Sequence, residues 1–281
     1  MTETMVPVDG IELCVETFGE SGDPAVLLIG GAASSMDWWD DEFCRRLAAG
    51  GRYVVRYDHR DTGRSTSFPA GEPPYSDVDL AHDALGVLDA LGLHRAHLVG
   101  LSMGGALAQR IAVERPHRVL SLTLIATSTV PPAHDVTVSD AEPGRPAPNW
   151  ADRRCAVENL VTDARRLGGL FTADEPHLRR LAERVFDRTQ DMAASQANHF
   201  CCAEGPPVRD RLSRITAPTL VLHGTLDPFF PAEHARTLAA EIPGARLVWL
   251  EGVGHEFPPA AVWAQVIDEI SGQPGRRLTF N

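Results

Sequence analysis

Gly100-Leu101-Ser102-Met103-Gly104 decides the reading of this chain. A short apolar run over residues 96–100 leads into it. A helical pattern over residues 103–114 follows and stops before Pro116. A serine at a sharp strand-to-helix turn, with glycine two residues before and two after, is the nucleophile-elbow pattern. The chain must turn abruptly at the serine, and strand and helix then pack so closely that a Cβ at either flanking glycine would clash. The hydroxyl stands clear of the sheet, beside a helix N-terminus that favours negative charge. The bland alternative is an ordinary glycine-rich turn. The strand before and the helix after favour the catalytic reading.

Working outward, residues 25–29 are a short continuous apolar run, the mark of a strand buried on both faces, and residues 53–57 read as a second buried strand. Residues 11–17 alternate apolar and polar and read as an edge strand. Further strands are predicted at 119–126, 218–222 and 245–250. Helical spacing covers 36–49, 77–91, 231–242 and 260–270. Strands alternating with helices of this length predict an α/β fold: a mostly parallel sheet covered by helices on both faces. Residues 130–207 break the rhythm. A Pro/Gly/Asp-rich loop at 131–149 opens the stretch, and helical patterns follow at 151–167, 176–187 and 191–200 with no strand. The reading is a core domain of residues 1–129 and 208–281 with a helical cap inserted at 130–207.

A serine hydroxyl needs a base, and the base needs an acid to orient it. In this architecture they come in the order serine, acid, histidine. His255, in Gly252-Val253-Gly254-His255-Glu256, follows the last strand. Asp227, in Leu226-Asp227-Pro228, follows the strand before it, at the strand's carboxyl end where ligand-facing groups gather. The strand at 119–126 ends in Ala126-Thr127-Ser128 with no rival carboxylate. Glu256 is too near His255 in sequence to orient its ring. Among eleven histidines, His94, His117, His177 and His234 read as surface positions, and His223 as a structural hydrogen-bonding residue. The oxyanion that forms on attack needs two donors. Met103 N–H is one. The loop Gly30-Gly31-Ala32-Ala33-Ser34 supplies the other, with Ala32 the choice and Gly31 the near alternative.

With these residues placed, the chain resembles the α/β-hydrolase superfamily over nearly its full length. It looks most like serine esterases of the aclacinomycin methylesterase type, with macrolide esterases as similar relatives. The stretches that carry the resemblance are Arg56-Tyr57-Asp58-His59-Arg60-Asp61-Thr62-Gly63-Arg64-Ser65, Gly100 to Gly104, Gly252-Val253-Gly254-His255, and Trp39 to Phe43 with Arg45-Arg46-Leu47. The resemblance implies a Ser102, Asp227 and His255 triad with Ala32 and Met103 as the oxyanion hole. Many members carry His-Gly where this chain has Gly30-Gly31, which changes what supports the oxyanion loop. The Asp58 to Ser65 loop reads as structural, with Asp58, Arg60 and Asp61 bonding local backbone and supporting that loop.

Composition narrows the partners. The 281 residues are 43% hydrophobic and 23% charged, with a net charge of -12. That charge disfavours nucleic acid and anionic membrane surfaces. No apolar run reaches membrane-span length, and the first ten residues lack the charge and apolar pattern of a secretory signal, so a cytoplasmic address is expected. The five cysteines are scattered without metal spacing, and no metal or cofactor is expected. Vicinal Cys201-Cys202 is a candidate redox pair, weighed against ordinary free cysteine, which is commoner. The substrate pocket is expected between cap and core. Its candidates are Gly31, Trp38, Trp39 and Trp150 on one side, and Phe171, His199, Phe200, Phe229 and Phe230 on the other. One of Trp38 and Trp39 should face the cavity, and His199 is a candidate substrate hydrogen bonder. The expected reaction is hydrolysis of a medium-to-large, largely apolar ester, such as an antibiotic methyl ester or macrolactone, through an acyl-enzyme. The alternatives are acyl transfer, carbon–carbon hydrolysis or cofactor-free perhydrolysis by the same triad, and a binding protein without turnover.

Overall fold

A computed structural model describes residues 3–129 and 148–272. Most of the loop expected at 131–149 lies outside the described residues. The strands are β1 (Thr4–Val8), β2 (Ile11–Phe18), β3 (Ala25–Ile29), β4 (Tyr53–Tyr57), β5 (Ala96–Leu101), β6 (Val119–Ile125), β7 (Thr219–Gly224) and β8 (Arg246–Leu250). They form one sheet in the order β1-β2-β4-β3-β5-β6-β7-β8. The pairings β1–β2 and β2–β4 are antiparallel, and the rest are parallel. The helices are α1 (Asp41–Ala49), α2 (Asp77–Ala90), α3 (Met103–Glu114), α4 (Arg153–Leu167), α5 (Glu175–Arg188), α6 (Met192–Cys201), α7 (Ala232–Glu241) and α8 (Trp263–Ser271).

The period-2 alternation of strand side chains splits the core into two layers. On β3, Leu27 and Ile29 pack with residues of α2, α3 and α7. Val26 and Leu28 face the other way, onto α1 and α8. Every residue of β3 and β5 is buried, which is why both read as unbroken apolar runs.

Two expectations need correction here. Residues 11–17 are not an edge strand, because β1 pairs outside them through a tight hairpin. Its two turn residues, Asp9 and Gly10, sit at φ 42° and 87°, the conformation that Asp-Gly favours. The helix expected over 36–49 is broken. A short helical turn over Met36–Trp38 precedes α1, which starts where the Asp40 carboxylate accepts the Glu42 N–H.

Helices α4, α5 and α6 lie between β6 and β7 in sequence. Each begins with an aspartate whose side chain accepts a backbone N–H, at Asp152, Asp174 and Asp191, a cap worth about 1 kcal/mol apiece. They have a small core of their own, built from Val157, Leu160, Val161, Leu178, Ala182, Val185 and Met192. Arg188 at the end of α5 latches this unit to the sheet. It pairs with buried Asp58 at 2.8 Å and with Asp37, which Arg184 also reaches at 2.7 Å.

Candidate active site

Ser102 sits between β5 and α3 at φ 53°, ψ −119°, a sparsely populated conformation that surroundings must enforce. Its N–H donates to the Ile125 carbonyl at 2.9 Å, and its own carbonyl accepts from Thr127 Oγ1 at 2.8 Å. The flanking glycines are dictated by proximity. A Cβ on Gly100 would stand 2.3 Å from the Gly104 carbonyl oxygen, and one on Gly104 would stand 2.3 Å from the Ile29 oxygen.

Ser102, His255 and Asp227 come together from three strand ends. His255 Nε2 is 3.0 Å from Ser102 Oγ, and His255 Nδ1 is 2.9 Å from Asp227 Oδ2. The other Asp227 oxygen accepts the N–H groups of Phe229 and Phe230, both at 2.8 Å. Burial pushes the Asp227 carboxyl up. The hydrogen bond and charge of His255, together with the Phe230 N–H and His223, outweigh it and hold the group below the usual carboxylate range. Asp227 is therefore an anion that accepts from Nδ1–H, which leaves Nε2 free to accept the serine proton. Phe229 stacks on the His255 ring with centroids 4.8 Å apart, and Phe230 lies 5.4 Å away. His223 is close but differently employed, since its Nε2–H donates to the Phe230 carbonyl at 2.7 Å.

Gly31 lies against the serine, where an added Cβ would be 3.4 Å from Ser102 Cβ. From there the chain makes a tight turn, closed by Ser34 N–H on the Gly31 carbonyl at 3.3 Å, with Ala33 at φ 58°. Ala32 N–H has no acceptor among the described residues. Met103 is the first residue of α3, where a backbone N–H has no partner within the helix. The loop beside Ser102 and the start of α3 thus each hold a backbone N–H with no acceptor among the described residues.

His199 is not where a substrate contact was expected. It is 7% exposed, and backbone occupies both ring nitrogens. Nδ1 accepts from Ala33 N–H at 3.0 Å, and Nε2–H donates to the Arg60 carbonyl at 2.9 Å. Its neighbour His59, with the ring centroid 5.6 Å away, donates Nε2–H to the Gly30 carbonyl at 3.1 Å. Burial, followed by the charge of His199, holds His59 down to about 3; burial likewise lowers His199.

The rest of the 58–65 loop is tied to its surroundings. Asp58 accepts from Met36 and Arg64 N–H, and Asp61 accepts from Phe68 N–H and from Asn198 of α6. Arg60 differs from the expectation: its side chain grips Asp83 of α2 through two nitrogens and bonds no local backbone.

Several other expected positions lie elsewhere. Trp39 is 1% exposed, wedged edge-on to Phe257 at 4.9 Å and stacked on Phe43. It is core, because α1 must cover the sheet there. Trp38 is half-buried, stacks on Phe257 and packs with Trp150 against the small core of the cap. Phe200 is 69% exposed. One residue along a helix is a 100° rotation, and with Asn198 and His199 turned inward Phe200 faces solvent. Phe171 lies over Gly252, on the outer side of the His255 loop. His234 is buried and shares a hydrogen bond with Ser128 Oγ at 2.7 Å, contrary to the surface reading. Cys201 is exposed, and both Cys201 and Cys202 are free thiols.

Glu256 has a role that sequence reasoning did not find. Glu256 does not orient His255, yet it ties the loop after α4 to the loop that carries His255. Its carboxylate accepts from Gly169 N–H at 2.8 Å, Thr172 Oγ1 at 2.9 Å and Gly254 N–H at 3.2 Å. Beside it, His255 N–H donates to the Leu167 carbonyl at 2.7 Å. Only the spacing to His255 was readable in sequence, and the two partners after α4, Gly169 and Thr172, lie more than 80 residues away.

Among the described residues no group of three or more histidine, cysteine or acidic side chains could hold a metal ion. No helix there is long and apolar enough to cross a membrane.

Comparison with known proteins identifies the family of the chain. A family model for the alpha/beta hydrolase fold matches residues 24–258. Rhodomycin D methylesterase DauP of Streptomyces sp. (strain C5) is 35% identical, covering 92% of this chain and 94% of that protein. Rhodomycin D methylesterase DnrP of Streptomyces peucetius shows the same identity and coverage. Among solved structures, a hydrolase from Pseudomonas aeruginosa PA01 superposes with a TM-score of 0.74 at 28% identity, over 96% of this chain and 98% of that one. The likeness to methylesterases is the one the motifs carry. With its eight-stranded, mostly parallel sheet and its inserted helical cap, the chain belongs to the alpha/beta hydrolase fold family.

Proposed function

We propose that this protein is a serine carboxylic-ester hydrolase. The chain is an ester-bond hydrolase by its relatives. The observation that supports the serine mechanism is His255 bridging Asp227 and Ser102 at 2.9 and 3.0 Å. Ser102 Oγ attacks the ester carbonyl carbon while its proton passes to His255 Nε2. The new oxyanion takes hydrogen bonds from Ala32 and Met103 N–H, such donors together being worth several kcal/mol. The tetrahedral adduct collapses, the C–O bond to the alcohol breaks, and the leaving oxygen takes the proton from His255. Water then attacks the acyl-Ser102 ester with His255 again as base, releasing the acid and restoring the serine. Asp227 fixes the Nδ1–H tautomer throughout and stabilises the charged ring.

The substrate reading rests on the two methylesterase relatives. It is a methyl ester on a large, mostly apolar polycyclic natural product of the anthracycline kind, bound between core and cap, with Phe229 and Phe230 as an apolar wall beside the reacting ester.

The test is a fluorophosphonate probe on wild type and Ser102→Ala, followed by a panel of esters from p-nitrophenyl acetate to anthracycline methyl esters and macrolactones. Stoichiometric labelling abolished by Ser102→Ala, with methyl-ester turnover, is expected. An unlabelled wild type would overturn the serine mechanism. Labelling with turnover of macrolactones only would overturn the substrate class.

A further inference from the structure

Helix α6 of the cap reaches a single residue of the loop beside the serine. His199 Nδ1 accepts the Ala33 N–H at 3.0 Å, and Gln196 Nε2 donates to the Ala33 carbonyl at 3.3 Å. The cap thus holds both ends of Ala33. That residue needs holding, because at φ 58° it lies in the left-handed region, where glycine is at ease and alanine is strained. The preceding residues, Gly30-Gly31, carry no side chain that could stiffen the turn. The stiffening comes instead from two buried histidines, His59 on the Gly30 carbonyl and His199 on the Ala33 N–H. Between those two clamps lies Ala32, whose N–H has no acceptor among the described residues.

We infer that His199 is a positioning residue for the oxyanion hole, holding the Ala32–Ala33 backbone from the cap so that Ala32 N–H faces the oxygen of the reacting carbonyl. The inference rests on the proposed roles of Ser102 and Ala32. It makes docking of α6 and completion of the oxyanion hole one event. A cap drawn away from Ala33 leaves serine, histidine and aspartate in place with one donor misaimed.

Two near-isosteres separate this role from general packing. In His199→Asn the amide oxygen falls where Nδ1 stands, so the acceptor for Ala33 survives and the bond to Arg60 is lost. In His199→Gln the amide nitrogen reaches the Nε2 position, so the bond to Arg60 survives and the acceptor is lost. Asn198→Ala is the control, since it loosens the same helix where Asn198 holds Asp61 and Gly71. With p-nitrophenyl acetate, His199→Gln should lower kcat roughly tenfold with KM changed less than about twofold. His199→Asn and Asn198→Ala should each stay within about threefold of wild type in kcat. Gln196→Ala, half-buried and easily accommodated, should lose kcat about twofold and slow fluorophosphonate labelling in proportion. Equal kcat in the Asn and Gln variants would overturn the inference. So would a loss in Asn198→Ala matching that of His199→Gln. If both His199 variants fail to fold, unchanged kcat and labelling in Gln196→Ala overturns it. Turnover by Ser102→Ala would instead overturn the serine reading, whatever the His199 variants do.

Discussion

The elbow at Ser102 and the cap helix α6 both shape the surroundings of one hydroxyl, and they do so by different physics. At the elbow the constraint is local and steric. Gly100 and Gly104 meet backbone atoms at distances no Cβ tolerates, all within a five-residue stretch and the neighbouring strand end. At α6 the constraint is long-range and polar. A histidine bonds a backbone N–H 166 positions away in the chain. Steric constraints of the first kind admit one residue type and resist every change. Hydrogen bonds of the second kind admit substitutes and answer to pH. The core should therefore fail abruptly when altered, and the cap contact by degrees.

The largest effect should come from Gly104→Ala. Its Cβ would sit 2.3 Å from the Ile29 oxygen and 2.5 Å from the Gly30 oxygen, both backbone atoms that cannot swing aside. A loss of at least about 3 kcal/mol is expected, read as a collapse in soluble yield or melting temperature. A stable, active Gly104→Ala would break the contrast at its steric end.

Next comes Arg188→Ala, which cuts the cap latch, leaves Asp58 buried without its ion-pair partner and leaves Asp37 with Arg184 alone. Breaking such a pair costs about 3–5 kcal/mol. Urea unfolding should show the loss, with limited proteolysis opening α4–α6 before the sheet. Simultaneous loss of both regions would say that cap and core unfold as one unit.

Acid should separate the regions further. Burial holds His59 down to about 3 and His97 down to about 4, and it lowers His199. Each stays neutral in the folded chain, where the unfolded chain would bind a proton below about pH 6.5. Their contribution to stability is complete above that pH and drains away as pH falls toward 4. Two of the three sit at the contact between α6 and the 30–34 loop. The midpoint in urea should fall by a few kcal/mol equivalents between pH 7 and pH 4.5, with hydrogen exchange rising first at Ala33. A flat profile over that range contradicts the buried-neutral reading.

The smallest effect is Phe200→Ser. At 69% exposure the ring touches little, and stability should move by less than about 0.5 kcal/mol with kcat/KM unchanged. A tenfold loss of kcat/KM on a large ester would make Phe200 a substrate contact after all.

The same contrast explains what could be read from the chain alone. Strands β3 and β4 and helix α3 were legible to the residue, because burial of β3 leaves an unbroken apolar run, β4 is apolar but for Arg56, and a proline ends the helix. The bounds of α4, α5 and α6 were legible to within two residues from their helical patterning. β1 was missed because only two of its five residues are buried, although Asp9-Gly10 signals the hairpin. Aromatic neighbours of the His255 ring were legible where an adjoining motif placed them, as for Phe229 and Phe230 beside Asp227. Orientation was illegible where helix rotation decided, as for His199 and Phe200. An aromatic pair such as Trp38-Trp39 announces that one ring is buried. Only the packing of Trp39 between Phe43 and Phe257 says which.

Hydrolysis by the proposed route passes through a covalent acyl group on Ser102. The most direct measurement is intact-protein and peptide mass spectrometry of the enzyme quenched in acid within the first turnover of a slow ester. An acyl mass increment on the peptide holding Ser102, absent in Ser102→Ala, is the expected result. Product formed with no acyl adduct at any quench time, together with turnover by Ser102→Ala, would contradict it.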